Sequence, residues 1–124
     1  MTSTFALEYI RMRMIELGIG EYFLKWRHFR LAPEEVREIN AGDHFYFVIN
    51  DIPNISIDPP HVRVESDFGV WDYGETATNE MIYEHRGKIT LTSQEVVDPS
   101  GEGEITGIQM IQVIPKNKEE DGNI

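Results

Sequence analysis

After Gly18-Ile19-Gly20 the chain breaks into short segments rich in β-branched and aromatic residues, separated by Pro, Gly, Asn and Asp. That punctuation recurs at the intervals of an all-β sandwich or barrel and leaves no room for a further long helix. The pattern places strands near 21–31, 36–39, 44–50, 55–57, 61–66, 69–73, 80–86, 88–93 and 105–114. Alternation supports several of them. Val62 and Val64 stand against Arg63 and Glu65, Met81, Tyr83 and His85 against Glu84 and Arg86, and Ile89 and Leu91 against Lys88 and Thr90. Arg86-Gly87-Lys88 reads as a hairpin turn. Ala32-Pro33-Glu34-Glu35, Asn40-Ala41-Gly42-Asp43, Asp51-Ile52-Pro53-Asn54 and Asp58-Pro59-Pro60 read as turns, because Pro fixes φ, Gly takes positive φ and Asp or Asn bonds its own backbone. In the last strand Ile108 and Met110 fall in one phase and Ile111 and Val113 in the other, so a bulge or burial on both faces is required.

Before Gly18 the period changes to that of a helix. Thr2, Ser3 and Thr4 offer N-cap hydroxyls to the run from Phe5 to Leu17, and Gly18 suits the residue just past a helix end. Leu7, Ile10, Met14 and Leu17 form an apolar stripe, with Glu8, Arg11 and Glu16 off it. Phe5, Tyr9 and Met12 widen the apolar surface beyond what a helix on a small sheet needs, which leaves area for a second partner. The expected organisation is one domain: an N-terminal helix and linker over 1–20, a single antiparallel β-sandwich or jelly-roll-like barrel over 21–115, and a polar tail over 116–124.

Charge narrows the function classes. The 124 residues carry 22 acids against 11 Lys and Arg, a formal charge of −11. The first 37 residues hold six bases and five acids, and the remainder holds five bases and 17 acids, so a near-neutral start precedes a strongly acidic body. Such a body repels nucleic acid and anionic membrane, and neither is expected as a partner. With no Cys, disulfides, thiol catalysis and thiolate zinc sites are excluded. No stretch reaches the length of a membrane helix, and Met1-Thr2-Ser3-Thr4-Phe5 does not open like a secretory signal. The sequon Asn54-Ile55-Ser56 therefore carries little weight.

The candidate chemistry is sparse. His28, His44, His61 and His85 show no HxH or HxxxH spacing, so a metal site would need long-range convergence with Glu65, Asp67 or Glu84. Asp67 to Glu75 sets three carboxylates beside Trp71 and Tyr73, the composition of a sugar-binding face; Trp71, Asp72 and Tyr73 are its candidate residues. The loop Asp98 to Glu104 is acidic and Gly-rich but fits neither an EF-hand nor a phosphate cradle. GxSxG, HExxH and a dinucleotide fingerprint are all absent, so no enzyme and no cofactor is expected. Tyr22 to Leu31 interleaves aromatics with Lys25, Arg27 and Arg30, as a single-strand stacking platform does; on so acidic a chain it reads better as a basic strand meeting acidic neighbours, its own or those of another copy.

The layout of a short N-terminal helix, a basic strand, then "LAPEEVREINAGDHFYFVIN", "VRVESDFGVWDYGETATNE", "YEHRGKITLTS" and a closing "IQMIQVIP" resembles small β-sandwich virion proteins of tailed bacteriophages, of the auxiliary or decorating kind. The likeness spans most of residues 21–115 and is one of layout. It implies a structural role, packing against copies of itself or other virion proteins, in a virion or in host cytoplasm before assembly. Leu7, Ile10, Met14, Leu17, Lys25, Trp26, Arg27 and Arg30 are the residues expected to make such contacts. The alternative is a soluble carbohydrate- or ligand-binding β-sandwich module using Trp71, Asp72 and Tyr73.

Overall fold

The computed structural model describes residues 3–49, 61–72 and 82–116. The fold is mainly β: one N-terminal helix, α1 (Ser3–Glu16), and six strands, β1 (Tyr22–Leu31), β2 (Val36–Ile49), β3 (Val62–Ser66), β4 (Gly69–Asp72), β5 (Glu84–Ser93) and β6 (Thr106–Pro115). All six strands join one antiparallel sheet in the order β1-β6-β2-β5-β3-β4. The expected segment at 55–57 lies outside the described residues.

The helix stops where Gly18 stands at φ 74°. The Ile19 amide donates to the Met14 carbonyl at 2.9 Å and the Gly18 amide to the Ile15 carbonyl at 3.0 Å, a Schellman closure that satisfies two end carbonyls. The face α1 buries is not the expected one. Ala6, Ile10 and Met14, spaced by four, are fully buried, whereas Leu7 and Leu17 are 42% and 37% exposed. A short helix on a twisted sheet touches it along one narrow ridge, and small Ala6 lets that ridge approach closely; Leu17 lies past the helix, in its closing turn. Ile10 and Met14 belong to the domain's own core and are not available to another molecule. Each contributes about 1.5–3 kcal/mol by burial.

Register explains why β2 and β6 read as apolar in both phases. Phe45, Phe47 and Ile49 of β2 and Ile111 and Val113 of β6 meet Ala6, Ile10 and Met14, with Ile19 and Tyr22 at the margin. Tyr46, Val48, Ile108 and Met110 point the other way, into a larger cluster with Phe29, Leu31, Val62, Val64, Trp71, Ile89 and Leu91. Residues 45–49 of β2 and 110–113 of β6 are thus buried on both faces.

Two expected turns are instead one distortion inside the sheet. Asn40 of β2 pairs with Lys88 and Phe45 with Arg86, so residues 41–44 on one strand face Gly87 alone on the other. Gly42 at φ 61° and Gly87 at φ 74° supply the left-handed conformations that such a bulge requires. Arg86-Gly87-Lys88 therefore bends a continuous β5, and Asn40 to Asp43 bends a continuous β2. The sheet curls around the larger cluster until β3 touches β6, and the His61 amide donates to Thr106 Oγ1 at 3.1 Å.

Candidate interaction surface

β1 is ten residues long and hydrogen-bonds to β6 alone, so its outer edge is unpaired among the described residues. Its pleat sends Tyr22, Leu24, Trp26, His28 and Arg30 to the α1 side and Phe23, Lys25, Arg27, Phe29 and Leu31 to the other, as the pairing of Trp26 with Ile111 and Phe29 with Ile108 requires. Only the end near Leu31 is covered. Phe29 and Leu31 are buried, whereas Phe23 and Leu24 are exposed and Trp26 is 53% exposed.

The charges on this strand are unlike the others. Seven of the described cations each have a carboxylate partner: Arg11 with Glu8 at 2.6 Å, Arg13 with Glu84 at 2.7 Å, Arg37 with Glu35 at 2.7 Å, Arg63 with Glu65 at 2.8 Å, Lys88 with Glu38 at 3.2 Å, Arg86 with Glu84 at 3.6 Å and Lys116 with Glu21 at 3.6 Å. Lys25, Arg27 and Arg30 have none among the described residues. Arg27 lies 5.5 Å from the Phe29 ring centre and donates to Gln112 Oε1 at 3.4 Å. Gln112 in turn donates through Nε2 to His44 Nδ1 at 2.8 Å. Among the described residues, the three cations without a carboxylate thus all lie on this one open strand.

The outer side of α1 is a second exposed apolar area. Phe5, Tyr9, Met12 and Ile15 all face solvent, and Tyr9 rests edge-on against Phe47 with ring centres 5.9 Å apart. Between this side and the β3–β4 turn runs a groove of about 330 Å³ lined by Tyr9, Met12, Arg13, Glu16, Phe68, Ile82 and Glu84. At its base Glu84 accepts from Arg13 and sits beside Arg86, whose guanidinium lies 4.6 Å from the Phe45 ring and 4.5 Å from that of Phe68. Hydrogen bonding to Glu84 raises the Arg13 pKa above the usual guanidinium value. This lock fixes α1 to β5.

The expected residues divide clearly. Lys25, Trp26, Arg27 and Arg30 share the open strand, Lys25 and Arg27 on one face and Trp26 and Arg30 on the other, and Leu7 is exposed on α1, while Ile10 and Met14 are internal. The sugar face does not form. Trp71 is fully buried opposite Val64, Asp72 is buried and accepts from Gln94 Nε2 at 3.0 Å, and Tyr73 lies outside the described residues. A ring inside the core cannot stack on a sugar.

The histidines do not converge either. His85 is buried, donates from Nε2 to the Ile82 carbonyl at 2.9 Å and accepts at Nδ1 from the Ser66 hydroxyl at 2.7 Å. Burial lowers its pKa and favours the neutral ring. His61 pairs with Glu95. Among the described residues no three His, Asp or Glu side chains gather as a metal would need, and no helix is long and apolar enough to cross a membrane. What the residue pattern hid was exposure: Val36, Val96, Val97 and Ile105 are exposed, and the signal for three of them was an apolar pair and an isoleucine set among the acids of residues 94–105. No family model, no curated protein and no solved structure matches this chain.

Proposed function

We propose that this chain is a non-enzymatic structural protein that assembles with copies of itself, and that, as its resemblance in layout implies, it serves as a component of a tailed-phage virion. The observation that carries the assembly reading is the β1 edge: a ten-residue strand whose outer side is unpaired among the described residues, exposing Phe23, Leu24 and Trp26 beside cations that lack a carboxylate partner among those residues. A long open edge with apolar side chains is a template for association that folded proteins ordinarily blunt or cover. The exposed side of α1 adds apolar area next to the sheet. Light scattering across a concentration series is the test. A stable monomer at high micromolar concentration, with no protein retained from lysates of phage-infected host, overturns the proposal; a concentration-dependent rise in mass that Trp26→Ser abolishes supports it.

A further inference from the structure

The exposed start of β1 is matched by a surface beyond the other end of the same strand. Where β1 finishes at Leu31, opposite Thr106, the segment joining β5 to β6 ends its course over the sheet end. It is held in place there. The Glu34 amide donates to the Glu95 carbonyl at 2.9 Å, and a Cβ added at Gly103 would stand 2.5 Å from Pro33 Cγ. Asp98 Oδ1 accepts from the Ser100 amide at 3.0 Å, the Ser100 hydroxyl at 2.6 Å and the Glu102 amide at 2.9 Å. The fixed segment displays Val96, Val97 and Ile105, exposed at 69%, 42% and 70%. Asp98, Glu102 and Glu104 interleave with them, and none has a cationic partner among the described residues.

The two ends are complementary in kind. The first carries Leu24 and Trp26 on one face of the strand with Lys25 and Arg27 on the other, and the second carries aliphatic side chains beside carboxylates; among the described residues these cations have no carboxylate and these carboxylates no cation. Leu24 and Leu31 are separated by about 23 Å of strand, so the Leu24–Trp26 end of β1 lies too far from the segment to meet it within one copy, and only Arg30, one residue from Leu31, borders it. A symmetric antiparallel pairing of β1 with β1 centred on Trp26 would set Lys25 of each copy opposite Arg27 of the other, and like charges facing across strands are destabilising.

Resting on the assembly reading above, we infer that the Val96-Val97-Ile105 end of one copy docks on the Leu24-Trp26 edge of the next, head to tail. Such a contact uses two different patches, so it closes into a ring or continues as a filament instead of stopping at a dimer.

Charge exchange tests this on the whole chain. Glu102→Lys with Glu104→Lys leaves Asp98 and its turn intact and weakens self-association at least about tenfold, as lost cross-interface charge pairs of ordinary strength would. Lys25→Glu with Arg27→Glu and Arg30→Glu does the same, and an equimolar mixture of the two variants assembles again. If the β1 variant fails to fold, Val96→Ser with Val97→Ser, on the fixed but exposed segment, carries the same expectation. Undiminished association of the Glu102→Lys, Glu104→Lys protein, or growth that halts at a dimer in the wild type, overturns the head-to-tail contact and leaves the assembly proposal standing. A monomeric wild type overturns both.

Discussion

The sheet has two edges, each carrying one of the two tryptophans, and the two are built to opposite ends. At β4 the strand is four residues long, Trp71 is turned into the core, and the Ile82 amide occupies the Val70 carbonyl at 3.0 Å. At β1 the strand is ten residues long and Trp26 is turned out. A short strand crossed by another segment is how a protein hides an edge; a long one with alternating aromatic and basic side chains presents it. The difference teaches that exposure at β1 is not a general looseness of this sheet, because the same chain closes the other side.

The sharpest way to break this contrast is to truncate each tryptophan. Trp71→Ala removes a fully buried ring from the larger cluster and is expected to cost about 3–5 kcal/mol in urea unfolding. Trp26→Ala is expected to stay within about 0.5 kcal/mol when measured on the dissociated protein, because half-exposed surface positions rarely exceed that. Equal costs would mean that Trp26 is part of the fold. Next in size is Gly69→Ala at the start of β4, where φ is 135° and a Cβ would stand 2.6 Å from Ile82 Cγ1. Strain and overlap together predict a loss of about 2–3 kcal/mol, read as a lowered Tm. The equivalent test on β1, Leu24→Ala, lacks both causes and is expected to move Tm little.

These two edges also show what the residues alone could tell. The alternation in Val62 to Glu65 and the double phase of Ile108 to Val113 made strands and two-sided burial legible, because side-chain period is local information. Gly87 and Asn40 to Asp43 read as turns and form one bulge, since that distinction depends on which strand lies opposite. Trp71 and Trp26 both sit among charges in the sequence; only the long-range pairing with Val64 sends one inward, and nothing local distinguishes them. Lys25, Arg27 and Arg30 could be recognised as a basic cluster, but their want of carboxylates follows from how the other seven described cations are paired. The helix stripe matches burial at Ile10 and Met14 and misses it at Leu7 and Leu17 for a similar reason: Ala6 carries too little apolar weight to signal that it marks the contact line.

His85 ties the β4 side of the molecule to pH. Its pKa is lowered by burial, so the unfolded chain takes up a proton more readily than the folded one. Stability is therefore level above the ordinary imidazole value of 6.5 and falls as pH drops through it toward the lowered folded value, where the His85 contribution stops changing. His85→Gln is expected to flatten that part of the stability profile, as thermal melts between pH 7 and 5 would show. A profile unchanged by the substitution would mean that other groups set it.

The smallest effect on folding is expected at the β1 cations. Replacing Lys25, Arg27 and Arg30 by Gln breaks no ion pair among the described residues, so no desolvated carboxylate is left behind. What is lost is their attraction to the distributed charge of a −11 chain, a long-range contribution that salt screens over about 10 Å at 0.1 M. The triple variant should therefore unfold within about 1 kcal/mol of the wild type at low salt and approach it more closely in 0.5 M salt. Self-association should show the opposite balance, with a clear weakening at low salt, because an interface brings the opposing charges to within contact distance. A triple variant that loses stability and association in parallel would assign these side chains to the fold, and the β1 edge would then be no different in kind from β4.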